Sequence, residues 1–386
     1  MQKKLLKRKI IDKIRVGVFI SNEGFGHSVR QKTIIKEFLK IKPNSEFTVF
    51  NYKRLSFLKE YFGNRINYVS YPDTLSTIKN TNGELDITLT KKILERWPVK
   101  SNNAIKFLKK KKFIFDIIIS DLVPEAFRYA KTENIPSFGV ARFTWDWFFY
   151  NSKLKSLNSL KLISRDLKLS NKIYFPTFTN GKILSNHFFL TKKTNLILNK
   201  NLFKENTFDF AKSKNKYKCL IMDNGTKTNS ELIKKTIVYL KKIKYIDFYI
   251  AVDNYSNNLK NYIAEQINLI PVSGLKNMHR LIEYVDFLVA RGGFNTLTEI
   301  LIFKKPALLI DEKNNPEIRQ NLLQMNNLGY SAIMKQSSFK SKFPNRINYF
   351  LKKEMTNIKN KLNVKNFQSN GAKQIVKDII KIYEKS

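Results

Sequence analysis

The stretch from Ala290 to Asn321 places several chemically useful residues in a fixed order. Gly292 and Gly293 follow an apolar run and allow a tight turn into a helix that is predicted to begin near Asn295, and the free N–H groups at such a helix start face an anion. Glu299 follows one turn later, where its carboxylate can accept hydrogen bonds from two neighbouring hydroxyls, as a ribose offers. The order predicts a nucleotide-binding turn between a strand and a helix.

A second helix in this stretch is predicted to start at the proline of NNPEIRQN. It carries Glu317, Gln320 and Asn321 at spacings of three and four residues, which places them on one face. Three polar side chains on one face, beside the carboxyl end of a strand, suit a sugar ring. A structural alternative stays open, because Gln320 and Asn321 also fit a solvated helix surface and the T-x-x-E pattern ending at Glu299 also fits a capping box.

The segment after the first predicted strand, SNEGFGHSVRQK, contains the histidine best placed for catalysis. Two glycines flank Phe25 and put His27 at the strand-to-helix turn, where open α/β sheets bind their ligands. A neutral imidazole suits a general base at neutral pH. Asp121 closes a later predicted strand and is a candidate to hold the other ring nitrogen. Alternatively, Ser28 and Gln31 form a capping box and give the segment a purely structural role.

Two other segments carry candidate ligand contacts. In MDNGTKTNSE, Gly225 and Thr226 can offer a backbone donor and a hydroxyl donor to a diphosphate, although a simple β–α turn explains these residues equally well. In ARFTWDWFFY, Arg142 and Asp146 can fix a polar acceptor and Trp145 can stack on a sugar face, with core packing as the alternative for the aromatic residues.

Bound cofactors are not indicated. Val29 interrupts the dinucleotide fingerprint G-x-G-x-x-G, and no acidic residue stands at the right strand end, so NAD or FAD is not expected. The chain has no D-x-D at a predicted strand end, and its histidines lack metal-ligand spacing, so no metal is expected. Arg291 and Lys227 are candidates to neutralise a leaving nucleotide instead. We therefore expect a nucleotide-linked co-substrate and no cofactor.

Strand-like apolar runs alternate with amphipathic helical stretches along nearly the whole chain. The alternation predicts an α/β fold of two Rossmann-like domains whose parallel sheets face each other across a cleft. Residues 177–216 lose the alternation and are rich in Asn, Lys and Thr. The predicted layout is a first domain at 14–176, a linker region at 177–216, a second domain at 217–370 and a final helix at 371–386. The predicted strands are 14–20, 46–50, 66–70, 115–120, 137–141, 172–176, 218–222, 247–252, 285–290 and 306–310.

The length, charge and composition of the chain limit how many domains it can form, where it can reside and what it can bind. The chain has 386 residues, enough for two domains, and 71 Lys and Arg against 31 Asp and Glu give a net charge of +40. Lysine is abundant everywhere and no nucleic-acid-binding motif accompanies it, so a compositional origin is favoured over polyanion binding, and no nucleic acid partner is expected. A single cysteine and the lack of an 18-residue apolar run favour a cytoplasmic protein. The basic start MQKKLLKRKIIDK fits a frayed terminus or contact with an anionic inner membrane face.

Both halves resemble the GT-B glycosyltransferases. The G-x-G-H turn, the aspartate that ends FDIIISD and the stretch from RGGFNTLTE to EIRQN are similar to motifs of glycosyltransferase family 28, which includes the lipid II N-acetylglucosaminyltransferase, and of the UDP-glycosyltransferases. The resemblance implies inverting, metal-independent transfer of a sugar from a nucleotide-sugar, most simply UDP-linked, to an acceptor hydroxyl. It also implies that Glu299 holds the ribose, that His27 is the base and that Asp121 is its partner.

The predicted site has catalytic, donor-binding and acceptor-binding parts. Catalysis is assigned to His27 and Asp121. The donor-binding residues are Gly225, Thr226, Arg291, Gly292, Gly293, Asn295, Thr296, Glu299, Glu317, Gln320 and Asn321. The acceptor-binding residues are Gly26, Arg142, Trp145 and Asp146.

The turn that precedes the histidine differs from the lipid II enzymes. Those enzymes carry a longer glycine run, whereas this chain has Glu23-Gly24-Phe25-Gly26, so a shared acceptor is not implied and the acceptor is expected to be an unidentified glycan, lipid-linked or small molecule. GFGH followed by arginine also resembles the UDP-sugar hydrolase of pseudaminic acid synthesis. A nucleotide-sugar hydrolase or epimerase on the same fold is therefore the alternative.

Overall fold

The computed structural model describes residues 13–72, 74–80, 84–154, 158–179, 190–198, 215–222, 227–252, 256–272, 278–312, 314–336 and 341–385, with the backbone alone for 227–233. Within these ranges the chain forms two sheets of parallel strands, one of seven strands and one of six. Parallel strands need crossover connections, and here helices provide them. The α/β class with two Rossmann-like domains is confirmed.

The first sheet has the strand order β3-β2-β1-β4-β5-β6-β7. Its strands are β1 (Arg15–Ile20), β2 (Glu46–Asn51), β3 (Asn67–Ser70), β4 (Ile117–Asp121), β5 (Ser137–Val140), β6 (Lys172–Pro176) and β7 (Thr191–Thr194). The helices between them are α1 (Phe25–Ile41), α2 (Leu55–Phe62), α3 (Ile87–Lys111), α4 (Pro124–Thr132), α5 (Trp145–Asn151) and α6 (Asn158–Leu167), with a short 3-10 turn at Gly63–Arg65.

The second sheet has the order β10-β9-β8-β11-β12-β13. Its strands are β8 (Tyr217–Ile221), β9 (Ile246–Ala251), β10 (Leu269–Val272), β11 (Phe287–Arg291), β12 (Ala307–Ile310) and β13 (Ala332–Met334). The helices are α7 (Lys227–Leu240), α8 (Asn257–Ala264), α9 (Met278–Tyr284), α10 (Phe294–Phe303), α11 (Pro316–Asn327), α12 (Phe343–Tyr349) and α13 (Met355–Asn363), with a π-helical turn at Phe350–Glu354 between the last two, and then α14 (Gly371–Tyr383).

The central strands form because both of their faces are buried. Val18 and Ile119 pack in one apolar cluster with α1 and α14, whereas their neighbours Phe19 and Ile118 pack in another cluster on the opposite face. Side chains alternate across a strand, so a strand covered on both faces is a continuous apolar run. This is why the runs in the sequence predict these strands well.

The strand order reverses direction at one place in each sheet. In the first sheet, β1 lies between β2 and β4, and Ile20 is in register with Asp121. In the second sheet, β8 lies between β9 and β11. Loops that leave neighbouring strands at such a point diverge, and the crevice between them is where open α/β sheets bind ligands. The fold therefore places the turn before α1 and the end of β4 at one crevice.

All ten predicted strands are present, and three further strands were not predicted. β7 has the polar sequence TKKT, β10 contains a proline, and β13 spans three residues, so none has the apolar run of a central strand. β7 lies in the predicted linker region 177–216 and pairs with β6, so part of this region adds a strand to the first sheet. Edge strands need only one partner, so they leave a weak signal in the sequence.

The final helix returns to the first domain. In α14, Ile375 and Ile379 are fully buried in the cluster that contains Ile34 and Phe38 of α1. The segment before α14 also pairs with the segment after β7, through hydrogen bonds from Leu196 N to Gln368 O and from Gly371 N to Leu196 O. The two passages of the chain between the domains are thus joined side by side.

We predict that Gly371→Ala weakens this junction. A Cβ at Gly371 would overlap the backbone carbonyl of Asn195, and a backbone atom cannot move aside as a flexible side chain can. Overpacking of this kind costs about 1–3 kcal/mol, so the midpoint of urea unfolding should fall. Lys373→Ala, at an exposed position of the same helix, is the control and should change stability little. An unchanged midpoint for Gly371→Ala would contradict the prediction.

Candidate active site between the domains

His27 and Asp121 form a buried pair at the crevice of the first sheet. The Nδ1 atom of His27 lies 2.7 Å from Oδ1 of Asp121, and the two side chains are 11% and 0% exposed. His27 is in the first turn of α1 and Asp121 is the last residue of β4. The aspartate thus orients the ring through Nδ1 and leaves Nε2 for another partner. The structure thus brings together the two residues to which the sequence assigns catalysis.

Two more residues of α1 hold the same carboxylate. Arg30 donates from Nε to Oδ2 at 2.9 Å and from Nη2 to Oδ1 at 2.6 Å, and Gln31 donates from Nε2 to Oδ2 at 3.0 Å. Burial raises the pKa of Asp121, but the positive charge of Arg30 and the hydrogen bonds with His27 and Arg30 outweigh burial and lower that pKa to about 2. Asp121 is therefore ionised at neutral pH.

The start of α1 is set by a glycine and not by a capping box. Gly24 is the N-cap residue with φ of 76°, a conformation that side chains with a Cβ rarely adopt. No side chain caps this helix, and Gln31 bonds Asp121 instead of the helix start. The capping-box alternative for Ser28 and Gln31 is wrong. The Gly24 turn instead brings the first turn of α1 to the crevice, with His27 aimed at β4.

The second domain meets this turn through α10. Asn295, in its first turn, donates from Nδ2 to the backbone oxygen of Gly26 at 3.1 Å. Helix α10 starts at Phe294 with Gly293 as its N-cap and no side-chain cap. Thr296 is the third residue of the helix and not its N-cap, so the capping-box alternative for Glu299 is also wrong. Gly26, predicted to touch an acceptor, instead touches the other domain.

A hydrogen-bonded chain crosses between the domains at Arg142. Its Nη2 donates to Oδ1 of Asn321 at 2.7 Å, and Nδ2 of Asn321 donates to the oxygen of Gly292 at 2.9 Å. Nη1 of Arg142 donates to Thr179 at 2.6 Å, and the guanidinium lies 4.2 Å from the ring centre of Phe294. Both functional atoms of Asn321 are used. In this structure Asn321 thus fixes the turn before α10.

Arg142 and Glu317 shape the electrostatics between the domains. Burial lowers the pKa of Arg142 to about 9, and the nearby Glu317 carboxylate opposes the shift. Burial likewise raises the pKa of Glu317, although Arg142, His27, Arg291 and Arg30 all act to lower it. The carboxylate at the start of α11 therefore interacts with His27 and with three arginines. Gln320, on the same helix, is partly exposed.

Arg291 and Lys79 meet at one carboxylate. Arg291, the last residue of β11, forms an ion pair with Glu312, and Lys79 of the first domain donates to Oε1 of Glu312 at 3.0 Å. Asn315 donates to the same oxygen at 3.2 Å. Burial lowers the pKa of Lys79, and the positive charge of Arg291 lowers it further. A loop of the first domain is thus tied to the second domain by charge.

Glu299 of α10 lies near His279 of α9. Its Oε1 atom is 3.4 Å from Nε2 of His279 in α9, and the Glu299 side chain is 15% exposed. Glu299 is thus a partly accessible carboxylate in the middle of α10, six residues after Gly293. Its contact with a ribose stays a prediction.

Other predicted residues are differently placed. Trp145 is fully buried and donates from its indole N–H to the oxygen of Leu122 at 2.9 Å, so core packing describes it and the predicted acceptor contact is not supported by this placement. Asp146 is 6% exposed and accepts from the Trp147 N–H. Gly225 and Thr226 lie outside the described residues.

Several solved structures with this architecture are glycosyltransferases. The chain superposes on the glycotransferase of kitacinnamycin with a TM-score of 0.68 at 12% identity. It superposes on Phytolacca americana UGT2, complexed with UDP-2fluoro-glucose and pterostilbene, with a TM-score of 0.63 at 9% identity, and on Acinetobacter baumannii MurG with a TM-score of 0.61 at 13% identity. Each alignment covers 96% of this chain and 99% of the other. At these identities the likeness establishes the GT-B fold.

A family model supplies the evidence beyond the fold. Residues 225–379 match the glycosyltransferase family 28 C-terminal domain. The chain is a GT-B glycosyltransferase. No curated protein matches its sequence. In this glycosyltransferase the matched region contains α10 and α11, which carry the predicted donor-binding residues, whereas His27 and Asp121 come from the other domain.

Several residues of the glycosyltransferase site were missed in the sequence. Arg30 and Gln31 follow His27 by three and four residues, so the sequence predicts that all three lie on the same face of the helix. The sequence does not predict that Arg30 and Gln31 both bind Asp121 of β4. Lys79 and Glu312 meet across the domains and lie 233 residues apart. Only the packing of the two domains brings such pairs together.

We predict that Asp121→Asn destabilises the glycosyltransferase at neutral pH. It leaves the Arg30 guanidinium buried without its counter-charge, which costs about 3–5 kcal/mol. Because the folded pKa of Asp121 is about 2, against an ordinary value of 3.8, the ionised carboxylate stabilises the fold above about pH 4. About 2–3 kcal/mol of this is lost as pH falls through 2, so the difference between wild type and variant should shrink in acid.

Urea unfolding at pH 7, 4 and 3 measures this difference. Asp116→Asn is the matched control, because Asp116 pairs with Arg15 at the other end of the same strand and is 18% exposed. It should cost less than half as much. Equal stability of Asp121→Asn and wild type at pH 7 would show that the carboxylate charge does not stabilise this fold.

Proposed function

We propose that this glycosyltransferase moves a sugar from a nucleotide-sugar, UDP-linked, to an acceptor hydroxyl with inversion and without a metal ion. The observation that carries the proposal is the His27–Asp121 pair at the start of α1, 2.7 Å apart and facing the domain that matches family 28. A base in one domain and a donor site in the other fit a reaction at the cleft between them.

His27 is the proposed general base. Its Nδ1–H donates to the ionised Asp121, so its Nε2 carries the lone pair that removes the proton from the acceptor hydroxyl. As the acceptor oxygen bonds to the anomeric carbon, the bond from that carbon to the diphosphate breaks, and the proton stays on His27. Asp121 stabilises the imidazolium that forms, as a buried carboxylate does beside a catalytic histidine.

The donor is proposed to bind along α10 and α11. Glu299 is partly accessible and is assigned the ribose hydroxyls, and Glu317 at the start of α11 is assigned the sugar ring. The solved UGT2 structure, of the same fold, contains UDP-2fluoro-glucose, which supports the choice of UDP for this chain. Asn321 is assigned a supporting role, since it joins Arg142 to Gly292.

The leaving diphosphate is proposed to gain its stabilisation from side chains and helix N–H groups. Arg291 and Lys79 bring two positive charges to the edge of β11, where Glu312 now holds both. The first turn of α10 adds N–H groups behind Gly293. Together these groups can offset the negative charge that develops on the nucleotide, which is the task a metal ion performs in other transferases.

We also propose a cytoplasmic setting with peripheral contact to an anionic membrane face. No described helix is both long and apolar enough to cross a bilayer. Exposed lysines line α3, among them Lys91, Lys92, Lys100 and Lys106, against the single acidic residue Glu95. Vesicles with anionic lipid should therefore co-sediment the protein at low salt, and neutral vesicles should not. Equal sedimentation with neutral vesicles would contradict this setting.

Nucleotide binding is the first test. We expect UDP, and not GDP, ADP or CMP, to raise the melting temperature of the wild type by a few degrees at a concentration of about 100 Kd. Glu299→Ala should lose the shift, whereas His27→Ala should keep it because the base lies in the other domain. Glu283→Ala, an exposed carboxylate of the second domain, is the control. A folded wild type that no nucleotide stabilises would remove the proposed donor site.

Turnover separates transfer from hydrolysis. With a panel of UDP-sugars and candidate acceptors, His27→Ala should lower the rate of UDP release by about 10²–10⁴-fold while UDP binding persists. Acceptor-dependent UDP release supports transfer. Free sugar formed at the same rate without acceptor would instead identify the nucleotide-sugar hydrolase.

A further inference from the structure

The buried carboxylate of Asp121 is shared between His27 and an arginine. We propose that Arg30 is a positioning residue that holds Asp121 in place, so that Asp121 accepts the Nδ1–H of His27 and Nε2 stays free to accept a proton. The inference rests on the proposed function for the purpose of that base. The arrangement of the three side chains can be tested without any substrate.

Arg30 makes more hydrogen bonds to the carboxylate of Asp121 than His27 or Gln31 does. Arg30 uses two donors, Nε at 2.9 Å from Oδ2 and Nη2 at 2.6 Å from Oδ1, which fixes the carboxylate plane. Gln31 takes a further site on Oδ2 at 3.0 Å, and His27 takes the remaining one on Oδ1 at 2.7 Å. With Arg30 as the clamp, Asp121 presents one oxygen to His27 in a set direction.

The tautomer of His27 follows from these contacts. Nη2 of Arg30 also lies 3.1 Å from Nδ1, and a guanidinium only donates. If Nδ1 accepted from Arg30, the ring proton would sit on Nε2 and no lone pair would face the cleft. The ionised Asp121 at 2.7 Å is the stronger acceptor, so it draws the proton to Nδ1. Arg30 contributes by keeping Asp121 ionised and in reach.

Arg30 also places a positive charge 3.1 Å from Nδ1 of His27. A nearby positive charge opposes protonation of an imidazole, whereas the carboxylates of Asp121 and Glu317, which both interact with the ring, favour protonation. Removal of the Arg30 charge is therefore expected to make His27 easier to protonate.

The chain contains a second fork of the same kind that serves as a control. Arg15 donates to Asp116 from Nε at 3.0 Å and from Nη2 at 2.6 Å. This pair lies at the opposite end of β1 and β4, which are parallel neighbours, at a distance of about 16 Å for five residues of strand. Substitution of Arg15 removes the same charge and the same hydrogen bonds far from His27.

Titration of the histidine side chains by NMR tests the inference. The chain has three histidines, so His27→Asn assigns the His27 signals in the ¹⁵N-histidine-labelled protein. We expect Arg30→Met to move the titration midpoint of His27 upward by about one pH unit or more. Arg30→Lys, which keeps the charge, should move it by less than about half as much, and Arg15→Met should leave it in place.

The outcomes decide between a tuning role and a merely structural one. A folded Arg30→Met protein in which His27 titrates as in the wild type would overturn the proposal, and so would an Arg15→Met shift of equal size. If Arg30→Met does not fold, the ¹⁵N chemical shifts of His27 in the wild-type protein at pH 7.5 are the test. The proposal requires that these shifts show the ring proton on Nδ1 and a free lone pair on Nε2. An imidazolium or an Nε2–H ring would overturn the proposal.

The titration is independent of catalysis. Neither a donor nor an acceptor is present in the measurement, so failure of UDP binding removes the proposed transferase reaction and leaves the role of Arg30 in the histidine pair standing. Conversely, UDP binding with an unmoved His27 titration in Arg30→Met removes this inference alone.

Discussion

The ionised carboxylate of Asp121, buried with no solvent contact, is the constraint on which the site depends. A buried charge is tolerated only when it is paired and hydrogen-bonded, and here the donors are His27, Arg30 and Gln31. All three belong to α1, so satisfying one carboxylate sets both the rotation and the depth of that helix against β4. The strand register, with Ile20 opposite Asp121, brings the turn before α1 to the same level. The position of His27 thus follows from the need to pair one buried charge in the core.

The second domain depends on the same turn. Asn295 reaches Gly26 directly, and Arg142 reaches the glycine pair before α10 through Asn321. Two polar residues that suit a sugar in the sequence are therefore used, in this structure, to align the domains. The start of α10 is the proposed place of the diphosphate. The contacts that align the two domains therefore also fix the shape of the proposed donor site. Glu312, held by Arg291 and Lys79, adds a charge-based contact at the edge of the same region.

The sequence predicts what is local or periodic. The central strands, the glycine turns, the proline start of α11 and the meeting of His27 with Asp121 follow from apolar runs and from where strand ends must lie. Edge strands such as β7 are not predicted because their sequences are polar. Contacts such as that of Lys79 with Glu312 are not predicted because no sequence periodicity links the two residues. Trp145 shows a third reason why a prediction from sequence fails. The sequence pattern of an aromatic residue after a strand is the same whether the side chain contacts a ligand or packs in the core, and Trp145 packs in the core. Likewise, Asn321 shows that a correct helix face does not reveal which partner occupies it.

The side-by-side joining of residues 195–197 with residues 368–371 has a mechanical consequence. A chain that crosses once between two domains lets them swivel about several axes. This chain crosses twice, and the crossings are hydrogen-bonded to each other where α14 begins, so twisting one passage must drag the other. Any bending of one domain against the other that keeps both passages intact must therefore turn about the line of these two joined segments.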